Sequence, residues 1–126
     1  MSRRVLIAED DRIVAYLLEQ VLVDAGYTVL VAQDGMEAIE HLQAGADRFG
    51  MAVLDLVMPR ADGAAVLGVI ATVCPTLPVI LSSGYAEDYV RSRIGDAPIV
   101  AFLAKPGRPE ALLEIVGRVL GPGTPT

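Results

Sequence analysis

The chain has 126 residues, enough to bury a full core, and its 53% hydrophobic and 21% charged residues fit a folded, soluble domain. A net charge of -6 argues against general binding to nucleic acid or to an anionic membrane. The single cysteine, Cys74, excludes an internal disulfide and a cysteine metal cluster. No apolar stretch approaches the ~18 residues of a membrane span. The apolar run before the first acidic residues is too short for a signal peptide, so a reduced, cytoplasmic setting is expected.

Short apolar runs alternate with longer amphipathic ones. "RVLIA" (4–8) predicts a buried strand, and helical periodicity follows from about Arg12 to Ala25, stopped by Gly26. "TVLVA" (28–32) is a second strand, and Gly35 to about Ala44 a second helix with Ala38, Ile39 and Leu42 on one face. "MAVLD" (51–55) is a third strand, followed by a helix from about Gly63 to Val73 that ends before Pro75. "LPVILSS" (77–83) is a fourth strand, with Pro78 tolerable only near its start. The stretch 86–98 is a weak helix, broken early by Gly95 and Pro98, and "VAFLA" (100–104) is a fifth strand. Pro109 suits the first turn of a last helix that Gly121 ends. Residues 1–121 are expected to form one domain, and 122–126 a frayed tail or the start of a linker.

Strands alternating with helices predict a doubly wound α/β sandwich with a parallel sheet. Ligands in such folds bind beyond the carboxyl ends of the strands, near a topological switch point. That rule selects Glu9, Asp10 and Asp11 after the first strand, Asp55 ending the third, Ser82 and Ser83 ending the fourth, and Lys105 after the fifth. Neighbouring strands lie ~4.8 Å apart, so carboxylates ending adjacent strands can share one cation. Magnesium takes oxygen ligands and keeps several waters, so two carboxylates and a carbonyl suffice for it.

Four separated motifs, "AEDD", "VLDLVMP" followed by "DG", "LSSG" and "FLAKP", stand in an order that resembles the receiver domain of two-component response regulators. The resemblance covers Val5 to about Leu120. It implies a flavodoxin-like (βα)5 fold with strand order 2-1-3-4-5. It also implies a signalling module rather than an enzyme with an outside substrate. Asp55 resembles the phospho-acceptor, attacking the phosphorus of a phosphohistidine on a histidine kinase or a histidine phosphotransfer protein. Asp10 and Asp55 resemble the direct Mg2+ ligands, joined by the backbone carbonyl of Val57, with Glu9 acting through a bound water. Lys105 resembles the lysine that pairs with Asp55 and then with the phosphoryl group. Ser83 resembles the hydroxyl that reports the modification, Phe102 the switch aromatic that moves inward behind it, and Lys105-Pro106 the family's cis peptide. The downstream partner is an unspecified protein. No output domain is expected in the chain, as either a stand-alone receiver or a piece of a hybrid kinase.

Some residues carry blander readings. Asp11 reads as a helix N-cap, Ser82 as a strand residue facing away from Ser83, His41 as a solvated helix residue and Cys74 as a small apolar filler. Lys105 is the only lysine against nine arginines, which singles it out. Val57 and Tyr85 lack the carboxylate or amide that would orient an attacking water, so slow self-dephosphorylation is expected. Val57 also removes an aspartyl-phosphate hydrolase of the haloacid dehalogenase type, which needs a second aspartate there. The other alternative is an adaptor with the receiver fold that signals without phosphate. Ala61 stands where the family has a larger residue, predicting slack under the third helix, and the weak fourth helix puts the family's usual dimer face in question. On the first helix, Val14, Leu18, Val21 and Ala25 are assigned to the sheet. Ile13, Tyr16 and Leu17 then form an outer strip, suited either to a kinase helical bundle or to an ordinary wide apolar stripe.

Overall fold

The computed structural model describes residues 3–105 and 107–122. The strands are β1 (Arg4–Ala8), β2 (Thr28–Ala32), β3 (Met51–Asp55), β4 (Val79–Ser83) and β5 (Ala101–Ala104). All pair in parallel, in the order β2-β1-β3-β4-β5. The helices are α1 (Arg12–Asp24), α2 (Gly35–Gly45), α3 (Gly63–Val73), α4 (Glu87–Ile94) and α5 (Pro109–Leu120). After β1 the chain moves outward to β2, then crosses back to β3 on the other side. The switch point therefore lies between β1 and the central strand β3.

A parallel sheet covered on both faces needs apolar residues at nearly every strand position, and the alternation sorts them into two cores. Leu6, Ala52, Leu54 and Leu81 face α2, α3 and α4 through Ala38, Leu42, Val66, Leu67, Ile70 and Val90. Val5, Ile7, Met51, Val53 and Ile80 pack with Leu22 of α1 and with Leu112, Ile115, Val116 and Leu120 of α5. At the edge far from the strands' carboxyl ends, the Tyr27 hydroxyl donates to the Gly121 carbonyl at 2.6 Å, fixing the end of α5 beside the start of β2.

The expected elements are present with four adjustments. The fourth strand begins at Val79 rather than Leu77, with Pro78 outside the strand but its carbonyl still accepting from Ala52 N–H (3.0 Å). A short 3-10 turn, Ala46–Arg48, follows α2 where no element was expected. The buried centre of α1 is Ala15 and Leu22, while Val14, Leu18, Val21 and Ala25 are only half-buried. Ile13, Tyr16 and Leu17 are exposed, at 73%, 59% and 56%. Finally, Ala61 is where the β3–α3 loop meets the start of α2, and Val66, Leu67 and Ile70 of α3 are buried. The cis peptide expected at Lys105-Pro106 and most of the expected 122–126 tail fall on Pro106 and residues 123–126, outside the described residues.

Candidate phosphoacceptor and metal site

Register brings the site together. Ala8 of β1 pairs with Leu54, which places Glu9 and Asp10 beside Asp55 at the ends of the central strands. Asp55 pairs with Ser82, and Ser83 with Ala104, so Ser83 and Lys105 complete the same rim. The chain after each strand is held by the ladder: Glu9 N–H donates to Ala32 C=O (3.1 Å), Leu56 N–H to Ser82 C=O (3.0 Å) and Lys105 N–H to Ser83 C=O (2.8 Å). Asp11 then starts α1 as its N-cap, accepting from the N–H groups of Ile13 (2.9 Å) and Val14 (3.2 Å). That capping role is the one its position in the acidic run predicted.

Lys105 sits at the centre of the charge arrangement. Its Nζ donates to Asp55 Oδ2 at 3.0 Å and also to Glu9 Oε1. The bond to Asp55 was expected; the bond to Glu9 was not, because no sequence spacing links residues 9 and 105. Glu9 is 3% exposed and Asp55 8%, so both carboxylates need such a partner. Glu9 Oε2 accepts a further bond from Asp11 N–H (3.2 Å). Burial pushes the Glu9 carboxyl above its ordinary 4.5, and the charge of Asp55 adds to the rise, against the lowering effect of Lys105 and the Asp11 N–H. Burial alone would pull Lys105 down. Its hydrogen bonds to Glu9 and Asp55, and their charges, outweigh that, and its pKa is raised.

Glu9, Asp10 and Asp55 each offer a carboxylate oxygen, and these oxygens lie within 4.8 Å of one another, with Asp10 exposed at the mouth. Three hard oxygen donors against one ammonium leave the pocket negative, the donor chemistry of a divalent cation such as magnesium. Val57 N–H reaches Asp55 Oδ1 at 3.4 Å, and the Val57 side chain is exposed. On the α3–α4 side, Ser83 is 1% exposed and its Oγ accepts from Tyr85 N–H (3.0 Å). Ser82 faces the other way, into the groove between α1 and α5, as strand alternation predicted. Phe102 pairs with Leu81 and is half-buried against the core shared by α2, α3 and α4. Tyr85 and Tyr89 pack against each other at the rim, with ring centroids 4.8 Å apart and planes tilted by 39°.

Comparison with known proteins agrees with this geometry. A family profile for the response regulator receiver domain matches residues 5–117. The chain is 39% identical over 115 residues to response regulator MprA of Mycobacterium ulcerans, a match covering 90% of this chain and 48% of that protein. It thus spans about half the length of the curated relatives it matches. Among solved structures, a response regulator receiver protein from Sinorhizobium medicae superposes with a TM-score of 0.83 at 30% identity, covering 94% of each chain. A CheY-like receiver domain protein from Methanospirillum hungatei gives 0.85 at 26% identity, over 94% of this chain and 93% of that one. The chain belongs to the response regulator receiver family, the phosphoacceptor signalling modules of two-component systems.

Proposed function

We propose that Asp55 accepts a phosphoryl group from the phosphohistidine of a histidine kinase or histidine phosphotransfer protein. The observation that carries this reading is the sharing of Lys105 between buried Glu9 and Asp55, with Asp10 at the open side. An Asp55 oxygen attacks phosphorus; the P–N bond breaks and its electron pair returns to the donor imidazole, leaving an aspartyl phosphate. Lys105, already on Asp55, follows the charge onto a phosphoryl oxygen. The Ser83 hydroxyl donates to another oxygen, and Phe102 moves inward behind it. Asp10, Asp55, the Val57 carbonyl and, through a water, Glu9 would hold Mg2+, which offsets repulsion between carboxylate and incoming phosphate. The exposed strip Ile13, Tyr16 and Leu17 gives a helical-bundle donor an apolar surface beside the pocket. Residues 1–121 act as the receiver, in the cytoplasm, and the signal leaves through altered contacts with a protein partner.

Incubation with acetyl phosphate and magnesium, read by intact mass, is expected to add one phosphoryl group to the parent and none to Asp55→Asn. No addition to the parent would sink this reading in favour of an adaptor that works without phosphate. In the same samples, freed of acetyl phosphate, the label is expected to decay slowly. Val57 and Tyr85 carry no side-chain group fit to align water, so loss within seconds would contradict that expectation.

A further inference from the structure

The loop from Asp55 to Gly63 is closed by Gly63 N–H on the Leu56 carbonyl and tightened inside by Ala61 N–H on the Pro59 carbonyl, both at 2.8 Å. Met58 anchors it in the core, while neighbouring Val57 stays exposed. At Arg60 the backbone takes φ 70°, a conformation no other described non-glycine residue adopts. A residue with a Cβ is disfavoured there because that atom crowds the backbone; the Ala61–Pro59 bond closes across it from inside the loop, and its side chain is held from outside. Arg60 Nη1 lies 3.3 Å from Asp34 Oδ2, and Nη2 3.9 Å from Glu40 Oε1. Asp34 is 8% exposed and uses its other oxygen to cap α2, accepting from Glu37 N–H at 2.8 Å. One residue on, Ala61 meets Gly35 so closely that a Cβ on Gly35 would lie 1.9 Å from the Ala61 oxygen. An ion pair and a backbone contact thus dock two successive loop residues onto the first turn of α2.

We propose that Arg60 is a positioning residue for the cation site. Its left-handed backbone and its ion pair to Asp34 fix the Asp55–Gly63 loop, and with it the Val57 carbonyl, before a cation arrives. The proposal rests on the reading of Val57 as a magnesium ligand. Strained residues beside a site persist when their surroundings over-determine them, and here the surroundings are Asp34, Glu40 and Gly35. A preset carbonyl matters more for magnesium, which demands a near-ideal octahedron, than for calcium, which accepts variable geometry.

The test is titration calorimetry with magnesium chloride, and separately calcium chloride, on the parent, Arg60→Ala and Arg60→Gly. Arg60→Ala keeps the steric demand and loses the ion pair, so magnesium binding is expected to weaken about three- to tenfold, with a smaller loss for calcium. Arg60→Gly loses the ion pair but also the steric demand, and is expected to weaken magnesium binding less than Arg60→Ala does. Removal of a nearby positive charge acts in the opposite direction, tightening cation binding in both variants alike. Arg60→Ala binding magnesium as tightly as the parent or more so, or Arg60→Gly weakened as much as Arg60→Ala, overturns the proposal. The Arg60 side chain is 56% exposed, and melting curves without cation verify that both variants fold. A parent that binds no magnesium overturns the metal-site reading itself, and the proposal with it.

Discussion

Glu9 serves two ends that conflict. Its burial beside Asp55 concentrates negative charge, which on the proposed metal reading serves a cation, yet that burial makes its ionised form costly. A group whose folded pKa is raised contributes stability that is full below its unfolded value, here about 4.5, and is lost as pH rises through the folded value. In chelator-containing buffer, the unfolding free energy of Glu9→Gln minus that of the parent is therefore expected to grow as pH rises from about 4.5 and then level off. Urea titrations across that range check it; a difference that stays flat or shrinks would count against burial as the cause. Magnesium binding should move the other way, weaker in Glu9→Gln. On the proposed metal reading, stability and cation affinity would be opposed at this one side chain.

Among the elements, α3 and α4 show how unevenly local order is distributed. Asp62 caps α3, its Oδ1 accepting from Ala65 N–H at 2.9 Å, and its Oδ2 takes Arg93 of α4 at 3.0 Å. α4 itself has eight residues, one buried apolar side chain (Val90) and an end at Gly95, whose φ of 62° suits glycine. Asp62→Ala is expected to cost about 1 kcal/mol through the lost cap. Arg93→Ala should cost less, since the pair is half in solvent, within the ~0–1 kcal/mol of exposed ion pairs. Hydrogen exchange would separate the two: Arg93→Ala should speed exchange in α4 while leaving β1 and β3 protected. Equal acceleration in the central strands would mean that α4 is not a separate unit. The weakness of α4 was legible in its Gly95 and Pro98. Its tie to Asp62 was not, because an arginine on an exposed face gives no sign of its partner.

At the scale of the whole molecule, periodicity placed all five strands, and the four motifs placed the rim, because both are properties of short segments. Glu9, Asp10, Asp55, Ser83 and Lys105 converge since each ends or follows a strand, and strand ends meet wherever the sheet order brings them. What periodicity could not supply was contact between distant parts. The Glu9–Lys105 bond and the Arg60–Asp34 pair depend on register and on loop shape. The small Gly35 and Ala61 read as neutral residues until the two segments meet.

The distribution of the tyrosines gives the protein a built-in optical probe. The sequence has no tryptophan and four tyrosines, so near-ultraviolet emission comes from tyrosine alone. Tyr27 is buried at the far edge with its hydroxyl on the Gly121 carbonyl, Tyr16 is exposed on α1, and Tyr85 and Tyr89 pack at a tilt beside the pocket, where the Tyr85 N–H donates to Ser83 Oγ. A rearrangement of Ser83 is expected to alter the surroundings of that pair, with Tyr27 as a steady background and exposed Tyr16, which lies near Glu9, removed by Tyr16→Phe in the parent used for the measurement. Adding magnesium and then acetyl phosphate should change the emission of the parent, and Tyr85→Phe should remove most of that change while Tyr27→Phe lowers only the baseline. Unlabelled protein can then report its own state in a cuvette.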